Sequence, residues 1–161
     1  MNKKNKVIKE RRAHVRLPML NGILEPVEIE FFKEDADGKT SPQPAILADL
    51  SAGGMRLITF ALPPKSKELN IILQLAGMKN GFPVTGRIAW IKEKSGVFMT
   101  GIAFTSISEE DKKTINDMAE DFADCDTRFQ LKLPDVCSET CKANGLCNKP
   151  QKDDSLFKEQ K

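Results

Sequence analysis

The sequence contains no tyrosine, one tryptophan and one histidine. Each shortage argues against a class of chemistry. Proteins that bind single-stranded nucleic acid stack bases on clustered aromatic side chains, and this chain has few to offer. A thiol enzyme needs a base beside its nucleophile, and the lone His14 lies over a hundred residues from the first cysteine. Long apolar runs are missing as well. No stretch approaches the roughly twenty apolar residues that span a membrane. Val7-Ile8 is the only apolar pair of the basic N-terminus, so there is no signal-peptide core. The expectation is a cytoplasmic protein, in which thiols stay reduced and the four cysteines form no structural disulfides.

What is present suits one domain with some tail. The 161 residues are 40% hydrophobic and 30% charged, enough to bury one core in a soluble globular chain. Charge is unevenly spread. Residues 1–16 hold seven Lys/Arg and one acid, a net of +6 against +2 for the whole chain, so the remainder carries −4. A basic arm on a mildly acidic body points to an anionic partner met at the N-terminus.

Six short strands are predicted between Gly/Pro-rich turns. Val27–Phe31 alternates apolar and acidic residues, the pattern of a half-buried strand. Lys33–Pro44, with Asp37-Gly38 and two prolines, reads as a turn or exposed loop. Ala45–Leu50 and Met55–Phe60 are joined by the tight turn Ser51-Ala52-Gly53-Gly54. Leu69–Leu75, Val84–Lys92 and Val97–Phe104 follow. With no helix between strands, the expected class is all-β with a C-terminal helix, the sheet antiparallel and closed into a small barrel or sandwich. Ile115, Met118, Ala119 and Phe122 then change the period to one helical face. Ser108 is the N-cap, and the helix is predicted from about Glu109 to about Asp124. The expected organisation is a flexible basic arm over 1–9, a folded domain over 10–124, and a cysteine-containing extension with a polar tail over 125–161.

Two stretches carry candidate chemistry. Arg11, Arg12 and Arg16 place three guanidiniums within six residues, each a planar fork suited to phosphate or to the O6/N7 edge of guanine. Asp49 and Ser51 are two apart on a strand and project together, the carboxylate accepting from guanine N1 and N2, the hydroxyl donating to phosphate. Gly53 and Gly54 lack a Cβ and allow close approach. Each stretch has a bland alternative, a solvated tail and an ordinary hairpin. His14, among the arginines, can stack on a base or simply be exposed. Trp90 reads as a core or sheet-surface residue.

Together, Arg-Arg-x-x-x-Arg (Arg11, Arg12, Arg16) and Asp-x-Ser-x-x-Gly (Asp49, Ser51, Gly54) resemble the PilZ domain family. The Gly86-Arg87-Ile88-Ala89-Trp90 and Gly101-Ile102-Ala103-Phe104 strands are similar to that family as well, and so is the Ser-Glu-Glu start of the last helix. The resemblance covers roughly residues 9–124 and implies a six-stranded antiparallel β-barrel that is a bacterial receptor for cyclic di-GMP, without catalysis. It also implies that Arg12 and Arg16 clamp guanine edges and phosphates and that Arg11 stacks or adds a phosphate contact. Asp49, Ser51 and Gly54 would hold a guanine, with Arg56 reaching the same site. A downstream protein partner is implied but not identified.

Cys125, Cys137, Cys141 and Cys147 lie outside the resemblance. Four thiols within 23 residues of turn-rich chain can wrap a metal, zinc or an iron–sulfur cluster. The C-x3-C-x5-C spacing matches no common pattern closely, so redox sensing and inert thiols stay open. A nucleic-acid module using the basic arm and a four-cysteine zinc site is the alternative reading; the negative body and scarce aromatics argue against it.

Overall fold

Alternation builds the sheet as the pattern predicts. The computed structural model describes residues 13–19, 28–34, 40–63, 68–75, 81–134, 136–138 and 140–147. The strands are β1 (Leu17–Pro18), β2 (Glu28–Glu34), β3 (Thr40–Ser51), β4 (Gly54–Thr59), β5 (Leu69–Leu73), β6 (Phe82–Lys94) and β7 (Val97–Ser106). In β5, Leu69, Ile71 and Leu73 are buried while Asn70 and Ile72 are exposed, a period-two pattern with one face inward. All pairings are antiparallel, in the order β1-β3-β4-β7-β6-β5, with β2 also pairing β3.

The expected barrel does not close. β5 lies beside β2 across the gap, but among the described residues no backbone ladder joins them, so the sheet is open there. The predicted loop over Lys33–Pro44 is also corrected: β2 runs on to Glu34 and β3 begins at Thr40. Pro42 and Pro44 are tolerated because β4 joins β3 only from Ala45 onward. Before that point β3 has one open side among the described residues, where a missing N–H costs no ladder bond.

One apolar cluster fills the interior. It takes Leu47 and Leu50 from β3, Met55 and Leu57 from β4, and Ile71 and Leu73 from β5. Ile115, Met118, Ala119 and Phe122 of helix α1 (Glu109–Gln130) cover it, as their spacing predicts. The helix runs past the predicted end at about Asp124. An Asp124–Arg128 pair at 2.9 Å, four residues apart, supports the added turn, and Arg128 suits the negative end of the dipole. Lys132, at φ 55°, then reverses the chain: its N–H donates to Phe129 O and that of Leu133 to Arg128 O, a Schellman pair. Among the described residues, no helix is long and apolar enough to cross a membrane.

The residues beyond the helix join the same core. Ala143 is fully buried and Leu146 is 2% exposed, both within the apolar cluster. The segment's regular structure among the described residues is one 3-10 turn, Asn144–Leu146.

Ser108 caps α1 as predicted, its Oγ accepting from the Asp111 N–H at 3.0 Å. Ser108→Ala is expected to lower unfolding free energy by about 1 kcal/mol. Chemical denaturation checks this, and an unchanged midpoint contradicts it.

Candidate functional site

A single extra residue decides where the acid of β3 points. Leu47 pairs with Leu57 and Asp49 with Arg56, so Ala48 is a bulge. Without it, Leu47 and Asp49 would share a face. With it, Leu47 and Leu50 both enter the core, and Asp49 and Ser51 turn to the opposite face. The bulge carbonyl is satisfied by the Met19 N–H at 2.9 Å.

Register then builds a row across the sheet. Pro18 pairs with Asp49, Asp49 with Arg56, Arg56 with Gly101, and Gly101 with Trp90. Directly opposed residues share a face, so these side chains stand next to one another. A second bulge, at Ala89 of β6, brings Trp90 into the row. Gly101 is required here, because a Cβ on it would overlap the indole Nε1 of Trp90. The next row on the same face runs Ser51, Gly54, Ala103, Arg87. A Cβ on Gly54 would run into the Ile102 carbonyl, so glycine lets β4 and β7 approach at the site.

The two rows and the end of the arm enclose a cleft of about 180 Å3. Of the expected site residues, Arg16, Asp49, Ser51, Gly53, Gly54 and Arg56 line it, and so does Trp90. Asp49 is 6% exposed and sits between two cations. Arg56 Nε lies 2.8 Å from its Oδ2, and Arg16 reaches the same oxygen at 3.5 Å. The Arg56 Nε–H is buried and makes no well-directed hydrogen bond, so this is a charge contact that leaves a donor unused. Ser51 Oγ donates to the Gly54 carbonyl at 3.1 Å, which ties the turn. Two guanidiniums around one carboxylate leave the cleft with a net positive charge, suited to an anion.

His14 is half-buried and packs over the turn, its Cδ2 2.9 Å from where a Gly53 Cβ would stand. Arg11, Arg12 and the basic arm over 1–9 lie outside the described residues. Two cleft residues that the motifs did not single out are Trp90 and Gly101. Both belong to strands that carried the resemblance, Gly86–Trp90 and Gly101–Phe104, but their pairing is visible only through register.

The four cysteines gather elsewhere. They line a second cleft, of about 200 Å3, together with Asp121, Asp124 and Arg128. No disulfide links them. Burial raises the Cys141 thiol pKa; a hydrogen bond with the Ala143 backbone opposes this, and Asp121, Cys125 and Cys147 add to the rise. Among the described residues, no group of three or more His, Cys, Asp or Glu is arranged to hold a metal ion, so the expected four-cysteine centre, zinc or iron–sulfur, is not supported. The thiols stand around the cleft instead of converging, because Cys125 is carried by α1 while Cys141 and Cys147 are tied to the core through Ala143 and Leu146.

Gly101→Ala is expected to displace the indole of Trp90 and to cost about 1–3 kcal/mol through overpacking. Trp90 is the one tryptophan, so its emission reads the displacement directly. An emission spectrum identical to that of the parent protein would contradict the contact.

A family model described as the PilZ domain matches residues 10–121. No curated protein matches the chain. Among solved structures, the fold is similar to the Bacillus subtilis inhibitor of motility MotI/DgrA, at 14% identity and a TM-score of 0.53, over 82% of this chain and 57% of that one. Escherichia coli YcgR in complex with c-di-GMP is matched at 18% identity and a TM-score of 0.49, over 76% of this chain and 50% of that one. Borreliella burgdorferi PlzA in complex with c-di-GMP is matched at 22% identity and a TM-score of 0.44, over 66% of this chain and 40% of that one. The chain therefore spans about half the length of these three structures.

Proposed function

The chain belongs to the PilZ domain family, and from that premise we propose that it is a receptor for cyclic di-GMP, bound in the cleft between the Arg16 arm and the row from Asp49 to Trp90. The observation that carries this reading is the buried Asp49 carboxylate between two guanidiniums and beside an exposed indole. Cyclic di-GMP is a dianion with two guanines. Its recognition needs an acceptor for guanine N1 and N2, cations for its phosphates, and flat surfaces for its bases. Asp49 supplies the first, Arg16 and Arg56 the second, and Trp90 with the arginine planes the third.

Magnitudes favour an exchange of partners at Asp49. The Arg16 side chain is 47% exposed and its contact is long, so breaking this pair costs about 0–1 kcal/mol. A guanine edge can then take the carboxylate, while Arg16 turns to phosphate.

Size supports participation of the arm. A pocket that encloses a whole drug-sized ligand measures about 300–1,000 Å3. The cleft, at about 180 Å3, suits one guanine and its neighbouring phosphate. The rest of the ligand needs further cover, and Arg11 and Arg12 precede Arg16 in a chain already pinned to β3 at Leu17 and Pro18. Drawing that arm over the ligand changes the surface beside β1, which a downstream protein can read. The role is binding and relay, with no catalytic step.

Calorimetric titration with cyclic di-GMP, with cyclic di-AMP and GTP as controls, tests the assignment. Arg16→Ala and Asp49→Asn are each expected to cost about 1–3 kcal/mol of binding free energy. Binding should also change Trp90 emission. Parental affinity in both variants overturns the assigned residues, and no binding by the parent protein overturns the function.

A further inference from the structure

Strand β6 is longer than the sheet on one of its sides. β5 pairs with it only from Phe82 to Gly86, whereas β7 stays paired as far as Lys94. Among the described residues, no strand pairs with the other side of β6 from Trp90 to Lys94, and each of these residues is exposed. Backbone donors and acceptors on that side are open to a further strand. The hairpin that presents them is well formed. Ser95 and Gly96, at φ 55° and 77°, make the two-residue turn whose twist suits antiparallel strands, and Glu93 Oε1 accepts from the Gly96 N–H at 3.3 Å.

Side chains along this edge alternate in kind. Past the bulge, Trp90, Lys92 and Lys94 share the outer face, opposite Gly101, Met99 and Val97, while Ile91 and Glu93 face the other way. Trp90 is 39% and Ile91 40% exposed, so both faces offer apolar surface to a neighbour. The outer face of the edge carries two lysines and no carboxylate, with the Lys92 ammonium 5.8 Å from the centre of the Trp90 ring.

These charges select the occupant. Like charges on neighbouring strands repel. A second copy of this edge, paired about a two-fold axis, brings the same lysines together and is disfavoured. The hairpin tip, Lys94-Ser95-Gly96, is polar and gives a membrane nothing to bury. An extended segment with acidic residues on one face and apolar residues on the other suits both faces of the edge.

We propose that β6 from Trp90 to Lys94 is a docking edge to which an acidic, extended segment of a partner protein adds as a strand, with carboxylates beside Lys92 and Lys94 and apolar side chains beside Ile91. The edge borders the nucleotide cleft at Trp90, but docking needs no nucleotide.

The test uses the full chain and three synthetic peptides: one alternating valine with glutamate, one alternating valine with lysine, and the glutamate peptide N-methylated along its backbone. The glutamate peptide is expected to shift the amide resonances of residues 90–94 and to slow their hydrogen exchange. The lysine peptide is expected to leave them unchanged, and the N-methylated peptide, which has lost its ladder donors, is expected not to bind. Lys92→Glu combined with Lys94→Glu should weaken the glutamate peptide roughly tenfold and let the lysine peptide bind instead, with far-UV circular dichroism unchanged. Equal binding of the glutamate and lysine peptides, undiminished binding of the N-methylated one, or protection confined to other residues overturns the proposal. So does dimerisation of the free chain through this edge, or a preference for phosphatidylglycerol vesicles over the glutamate peptide.

Discussion

The bulge at Ala48 is the constraint on which the site depends. It lets one strand serve two faces in succession: Leu47 and Leu50 both reach the core, while Asp49 and Ser51 reach the outer cleft. A regular strand would have buried the carboxylate in an apolar interior, at the cost of an unpaired charge. The bulge is held from outside β3 by the Met19 N–H, so the same short stretch that brings Arg16 to Asp49 also stabilises the bulge. Site and arm are therefore parts of one local structure, and β1, although two residues long, is what joins them.

From that point, register carries the chemistry sideways. Arg56, Gly101 and Trp90 meet Asp49 because four strands pair in an unbroken antiparallel order. Glycine at 101 provides the floor on which the indole lies, and glycine at 54 brings two backbones close beneath Ser51. The resulting surface combines a carboxylate, two cations and an aromatic face, a combination suited to a planar, anionic, hydrogen-bonding ligand. Membership of the PilZ family and this local chemistry support the same reading by separate routes.

The segment after α1 follows a different logic. Its order comes from two buried apolar anchors, Ala143 and Leu146, and from one backbone bond to Asp121. These hold the thiols at the wall of a cleft without bringing them to a point. The protein thus presents two clefts, one made by strand register and one by a loop fastened to a helix.

Much of the fold was legible in local pattern. Alternation in β5, the Ser108 cap and the stripe Ile115, Met118, Ala119, Phe122 are short-range properties, each decided within a few residues of chain. Donor chemistry and strand periodicity made Arg16, Asp49, Ser51 and Gly54 candidates, and the resemblance to the PilZ family joined them and added Arg56. The end of α1, the prolines inside β3 and the open side of the sheet could not. They depend on which neighbour stands alongside: a carboxylate one turn away, a strand that starts late, a ladder that stops short. The place of Trp90 beside Asp49 is the clearest case. Each bulge adds one residue to a strand without leaving a mark in the alternation of a short segment, and two of them, on strands far apart in the chain, set that meeting. Residue identity determined what the site can do, and the tertiary pairing decided which side chains share it, because register is a property of two strands together and never of one.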